Sequence, residues 1–174
     1  MPRYDYSNLS PRIDDGAFVA PSADLIGDVR LATGSSVWYS CALRADIAHI
    51  EVGENTNIQD LTVVHVDDGQ PTVIGKNVTI GHRAVIHACT IGDGALIGMG
   101  AIILNGAVIG AGALIAAGAV VSPGKIIPPG AVVMGIPGKI VKELTPKQRE
   151  KQWQHAEIYV RLGRDYLAQG LDKI

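Results

Sequence analysis

Three histidines, His65, His82 and His87, carry the strongest chemical potential in this 174-residue chain. Imidazole is the commonest side-chain metal ligand and titrates near neutral pH. Around the three stand Arg44, Asp46, Gln59, Asp60, Asp67 and Asp68. Three imidazoles with one open coordination position would hold a catalytic Zn²⁺, which activates water. Cys89, two residues beyond His87, offers a possible thiolate ligand. His49 and His155 have no comparable partner and read as surface residues. The question is which elements bring residues 65, 82 and 87 together.

A ruler runs through the chain. Ile91, Ile97, Ile103, Ile109, Ile115 and Val121 recur every six residues. Two positions before each stands a small residue: Cys89, Ala95, Ala101, Ala107, Ala113 and Ala119. The marks continue upstream at Val52, Ile58 and Val64, then at Ile74, Ile80 and Ile86; Ile26, Ala32 and Trp38 form a looser set. Six fits neither the helical period nor a single long strand. It predicts short strands joined by tight turns, three per coil, wound into a parallel β-helix. Marker and small partner share the interior because side chains alternate along a strand. That places Cys89 in the core and removes it as a ligand. A narrow prism filled by such plugs also explains 20 Ile, 17 Val and 21 Gly beside only 8 aromatic residues.

The interruptions carry the site. Val64 to Ile74 is ten residues, so four are inserted around Val66-Asp67-Asp68-Gly69-Gln70-Pro71. Ile86 to Ile91 is five, and the phase is lost around Arg44-Ala45-Asp46. One coil of 18 residues plus the insertion makes equivalent positions differ by 22, the separation of His65 and His87. Each follows a marker, so both point outward from one face of successive coils. Strands ~4.8 Å apart let two imidazoles converge on one ion. His82 lies on the preceding face, over Asp60, with a corner between it and His87. A third ligand from another copy, in a closed ring of three, would complete the site.

Residues 1–144 are read as the β-helix domain, with 1–19 less regular, and 145–174 as a C-terminal helix. Thr145-Pro146-Lys147-Gln148 gives an N-cap, a first-turn proline and a capping-box Gln. Trp153, Ala156, Val160 and Leu167 form the expected apolar stripe, with Gly170 as the stop. A net charge of −2 argues against nucleic-acid binding. No apolar run reaches membrane-spanning length, and Met1-Pro2-Arg3-Tyr4-Asp5 lacks an export pattern. The expected location is cytoplasmic, with no membrane partner.

The strings Arg44-Ala45-Asp46, Asn57-Ile58-Gln59-Asp60, Val64-His65 and Gly81-His82-Arg83-Ala84-Val85-Ile86-His87 resemble those of the gamma-class carbonic anhydrases. The similarity runs from about Ala20 to Leu167 and is strongest to the YrdA-like, ferripyochelin-binding-protein-like branch. It implies a left-handed parallel β-helix of hexapeptide repeats with an α-helix packed alongside, and a homotrimer. It implies Zn²⁺ (Fe²⁺ or Co²⁺ in its place) held by His65 and His87 of one subunit and His82 of its neighbour. Gln59 would hydrogen-bond the metal-bound hydroxide and Tyr159 would reach the site edge. Arg44 with Asp46 or Asp60 would organise the interface. The implied reaction is reversible hydration of CO₂ to bicarbonate. The best-known active members carry Glu after the Arg-x-Asp string, where this chain has Ile47; its short loop offers Asp67 and Asp68 for proton transfer. Two alternatives stay open. Val133-Met134-Gly135-Ile136-Pro137-Gly138-Lys139 resembles the tail of acetyl-CoA-dependent hexapeptide acyltransferases, and the same metal site would serve a thioester hydrolase.

Overall fold

The computed structural model describes residues 3–173; Met1 and Pro2, part of the segment read for an export pattern, and Ile174 lie outside the described residues. The chain forms a parallel β-solenoid of about seven turns followed by one helix. One face stacks seven parallel strands: Phe18–Val19, Ser36–Val37, Asn57–Ile58, Thr79–Ile80, Leu96–Ile97, Leu114–Ile115 and Ala131–Met134. Lys139–Glu143 folds back antiparallel on the last of these. The other two faces form one continuous sheet, because the eleven-residue strand Ala42–Val52 turns a corner. Its first half pairs with Val63–His65 and its second half with Thr72–Ile74. The lost phase around residues 44–46 is therefore a strand bent between two faces.

The ruler holds through the core. Every marker from Val52 to Val121 is buried, as are the small partners Cys89, Ala95, Ala101, Ala107, Ala113 and Ala119. Burying a Val or Ile side chain stabilises by about 1.5–3 kcal/mol. A second constraint is backbone proximity between coils. A Cβ at Gly98 would lie 2.4 Å from the Ala117 nitrogen, and one at Gly92 would lie 2.7 Å from that of Ala111. These repeat glycines exist because the next coil leaves no room for a side chain.

The helix spans Pro146–Ala168 with Thr145 as N-cap and a complete capping box with Gln148. Its buried face keeps part of the expected stripe, with Ala156 buried and Leu167 packed against the Phe18–Trp38 cluster, but it adds Gln152 and Gly163, while Trp153 is exposed over Gly94. Gln152 replaces an apolar contact by hydrogen bonds, donating from Nε2 to the carbonyls of Gly94 (3.1 Å) and Gly112 (3.2 Å). Five aromatics gather outside the prism at the seam between helix and solenoid, where Tyr159 and Tyr166 of the helix pack on Phe18, Trp38 and Tyr39. Among the described residues no helix is long and apolar enough to cross a membrane.

Ile97→Ala should cost about 2–5 kcal/mol by cavity formation, and Gly98→Ala about 1–3 kcal/mol by overpacking against the next coil. Chemical denaturation of both variants at one protein concentration checks this; an unchanged midpoint in Gly98→Ala would show that the coils can separate.

Candidate metal centre

The register of 22 is observed directly: His87 pairs with His65, and His65 in turn with Arg44, in one column of adjacent strands. The rings of His65 and His87 are 5.0 Å apart, with Nδ1 of His65 3.0 Å from Nε2 of His87. The outer nitrogens are both engaged. His65 Nε2 donates to Asp46 Oδ1 at 3.1 Å, and His87 Nδ1 lies 2.8 Å from Asn105 Oδ1. The Asn105 amide nitrogen donates to Asp67, which turns its oxygen toward His87. Each outer nitrogen therefore faces an acceptor and must carry the proton. In the neutral rings the two inner nitrogens are then bare lone pairs 3.0 Å apart. Only a cation, proton or metal, reconciles that arrangement. Two nitrogens bound tetrahedrally at ~2.0–2.1 Å lie about 3.3 Å apart, close to the observed spacing.

Electrostatics support the same polarity. Burial works against ionisation of Asp46, but hydrogen bonds from His65 and Arg44 outweigh it and hold the carboxyl below its ordinary range. Arg44 pairs with Asp46 and not with Asp60. Asp60 instead accepts from His82 Nδ1 at 2.9 Å and from the Tyr39 backbone N–H at 3.2 Å. This leaves His82 Nε2 bare. His82 follows Thr79–Ile80 on the helix-bearing face, so a corner of the prism separates it from the His65–His87 pair.

His82 has its own surroundings. A groove of about 340 Å³ between the helix and the solenoid is lined by Gln59, His82, His155 and Tyr159 over an apolar floor. Gln59 is outward on its strand yet buried beneath the helix. A side-chain chain orients it. Gln59 Nε2 donates to Asn57 Oδ1 (3.1 Å), and Asn57 Nδ2 donates to Thr79 Oγ1 (3.0 Å). The Thr79 hydroxyl lies 3.3 Å from His155 Nδ1. Gln59 Oε1 is left as a free acceptor among the described residues. Tyr159 packs edge-on against Trp38, and burial with the nearby Asp60 charge raises its phenol above the ordinary range. His155 is thus not the surface residue that its isolation in the sequence suggests. Asp67 serves Asn105, while Asp68 is exposed on the turn. Nothing in the hexad marks an outward Asn as special, and the one-residue deletion after Ile86 sets Asn105 one position off the His87 column, so no repeat offset points to it.

The structure thus divides the expected site residues into two sets. One face brings together Arg44, Asp46, His65, His87 and, through Asn105, Asp67. The other brings together Gln59, Asp60, His82 and Tyr159. Fold and repeat define a hexapeptide-repeat protein, and the family model described as bacterial transferase hexapeptide (six repeats) matches residues 71–101 and 88–123. The chain is 50% identical to a probable carbonic anhydrase of Methanocaldococcus jannaschii, covering 83% of this chain and 91% of that one. It is 37% identical to protein YrdA of Escherichia coli, covering 95% and 94%. Mitochondrial gamma carbonic anhydrase 2 of Arabidopsis thaliana is 55% identical over 49% of this chain, which is 33% of the plant protein's own length. The chain belongs to the gamma-class carbonic anhydrase family. A solved Bacillus cereus structure described as a putative acetyltransferase superposes with a TM-score of 0.94 at 38% identity, covering 96% of this chain and 97% of that one.

Both thiols are excluded from the chemistry. Burial pushes Cys41 and Cys89 up to about 12. The folded state therefore holds these protons more tightly than the unfolded chain. The associated stability is complete below the unfolded thiol pKa near 9 and is lost as pH rises toward about 12. A thiol reagent at pH 8 should label neither cysteine in the native protein and both after denaturation. Labelling of native Cys89 at the rate of a free thiol would contradict its core placement.

Proposed function

We propose that this protein is a gamma-type carbonic anhydrase, interconverting CO₂ and bicarbonate at metal sites shared between the subunits of a homotrimer. The observation that carries the reading is the pair of facing lone pairs on His65 and His87, 3.0 Å apart with both outer nitrogens tied. His82, on another face with a bare Nε2 of its own, is the third ligand supplied by the neighbouring copy. A three-fold ring gives every copy the same contact. Zn²⁺, or Fe²⁺ or Co²⁺ at the same imidazoles, supplies when bound a water acidified to a pKa of about 7, and so a nucleophile for CO₂.

The chain's own residues do the rest. Asp46, Asp60 and Asn105 fix the rings of His65, His82 and His87 and make each bare nitrogen a better donor. Gln59 Oε1 accepts a hydrogen bond from the attacking oxygen and so aims a lone pair of that oxygen at the carbon. Tyr159, kept protonated, presents a hydroxyl at the groove edge. Arg44, held by Asp46, organises the contact with the neighbour. The released proton leaves through an exposed carboxylate, and Asp68 serves better than Asp67, which is committed to Asn105.

One observation favours a second reading. The groove of about 340 Å³ beside His82 is far larger than CO₂ needs and has an apolar floor. A thioester hydrolysis or an acetyl-CoA-dependent acyl transfer would use that space, and the similar Bacillus cereus protein is described as a putative acetyltransferase.

The purified protein should carry about one divalent metal per chain and sediment as a trimer. His82→Ala should remove metal as completely as His65→Ala, and Asp60→Ala should weaken metal affinity about 10–100-fold. Stopped-flow CO₂ hydration, run against a thioester panel and acetyl-CoA binding, chooses between the readings. Full metal occupancy in His82→Ala would exclude the shared site.

A further inference from the structure

We infer that Asp67 and Asn105 are positioning residues: they form a polar lock that decides which nitrogen of His87 carries its proton. The inference rests on the proposed metal site, and it gives Asp67 a different role from proton transfer and brings in Asn105, which no motif marks. A neutral imidazole has two tautomers, and a free histidine side chain in water favours the proton on Nε2. His87 needs the opposite form, with Nδ1 protonated and Nε2 bare toward His65. The acceptor that selects this form is Asn105 Oδ1, 2.8 Å from Nδ1.

An amide cannot enforce that choice alone. Its oxygen and its NH₂ have almost the same shape, so Asn105 could rotate and present a donor instead. Donor would then face Nδ1, and the His87 proton would move to Nε2, directly into the bare-lone-pair position. Asp67 prevents the rotation. Its carboxylate only accepts, so the Asn105 NH₂ must point to it and the oxygen must point to His87. His65 and His82 need no such relay, because Asp46 and Asp60 accept from them directly.

The lock also accounts for the insertion. Asp67 belongs to the coil of His65, and Asn105 lies on the coil beyond that of His87, one residue past the position stacked on His87 and 38 residues from Asp67. Two coil steps are roughly 9–10 Å, beyond the reach of an aspartate on a regular strand. The four inserted residues form a turn closed by paired backbone hydrogen bonds between Asp67 and Gln70 (3.0 and 2.9 Å), which carries the carboxylate across the gap. On the other side, the short corner between Ile86 and Ile91 passes through Ala88 in the left-handed region (φ +46°). The Ala88 carbonyl accepts from the Gly106 N–H at 2.7 Å, drawing the Asn105 turn against His87.

The test reads the tautomer directly. Metal-free full-length protein labelled with ¹⁵N-histidine is studied by long-range ¹H–¹⁵N correlation at a pH above the imidazole range. His87 should show the Nδ1–H form. Asp67→Ala and Asn105→Leu should each move it toward Nε2–H and weaken Zn²⁺ binding about 10–100-fold, read by chelator competition. The double variant Asp67→Ala/Asn105→Asp restores an acceptor that no rotation can lose. It should return His87 to Nδ1–H and recover most of the Zn²⁺ affinity, which a merely folded scaffold would not do. Sedimentation and circular dichroism of each variant control for misfolding. Nε2–H in the unsubstituted protein, or a tautomer indifferent to Asp67→Ala, overturns the lock. Tight Zn²⁺ binding with an indifferent tautomer defeats the lock alone. A responsive tautomer in a protein that binds no Zn²⁺ supports the lock and defeats the metal reading.

Discussion

The structure depends on one constraint, the in-register stacking of short parallel strands at ~4.8 Å per coil. A residue placed on one coil has its neighbours on the coils above and below decided for it. Inside the prism this makes identical plugs the economical solution, and Ile97, Ile103 and Ile109 all meet it. Between coils it brings backbones so close that Gly92 and Gly98 admit no Cβ. Outside the prism it builds columns, of which Arg44, His65 and His87 are one. The repeat therefore solves a positioning problem that an isolated hairpin would leave to loops: two imidazoles meet because their strands must.

Much of this was legible in the sequence, and the reason is periodicity. The six-residue mark placed Cys89 inside, His65 and His87 outside and paired, and His82 across a corner over Asp60. The structure shows each of these. The capping box at Thr145 was equally readable, since it is a local pattern of four residues. What escaped was contact at offsets unrelated to the period, between coils or between helix and coil. Asn105 reaches Asp67 over 38 residues, His155 reaches Thr79 over 76, and Gln152 reaches Gly94 over 58. Apolarity predicts the helix contacts at Ala156 and Leu167, but not the docking through Gln152 and Gly163 or the exposure of Trp153. Close approach of helix to prism favours small side chains, and it pushes Trp153 to the rim.

The chemistry of the candidate site lies in asymmetry within each imidazole. Each of the three rings has one nitrogen facing an acceptor; the other nitrogens of His65 and His87 face each other at 3.0 Å, and that of His82 has no partner among the described residues. Surface histidines have no reason to be fixed in this way, because water can hydrogen-bond both ring nitrogens in either tautomer. The three acceptors come from three different places: the bent strand at Asp46, the coil beneath His82 at Asp60, and the coil next to His87 at Asn105. That independent elements produce the same polarity argues for a common demand, and a shared cation is the demand that matches it.

The turns nearest the site make a related argument from strain. Distal coils place Gly100 and Gly118 at the corner position with φ near +67°. The coils of the site place Leu61 (φ +64°) and Arg83 (φ +58°) in that same column, beside Asp60 and His82. Each non-glycine residue held there costs on the order of 1 kcal/mol, a cost that the glycine of the neighbouring coils avoids. Leu61 is also 55% exposed and Val63, at the foot of the His65 strand, is 43% exposed. A strained and solvent-facing leucine gains nothing within one chain. Its place next to His82 makes physical sense when a second copy covers it, so that burial of the side chain offsets the strain of its backbone. The same contact would carry His82 toward the bare nitrogens of its neighbour's His65 and His87.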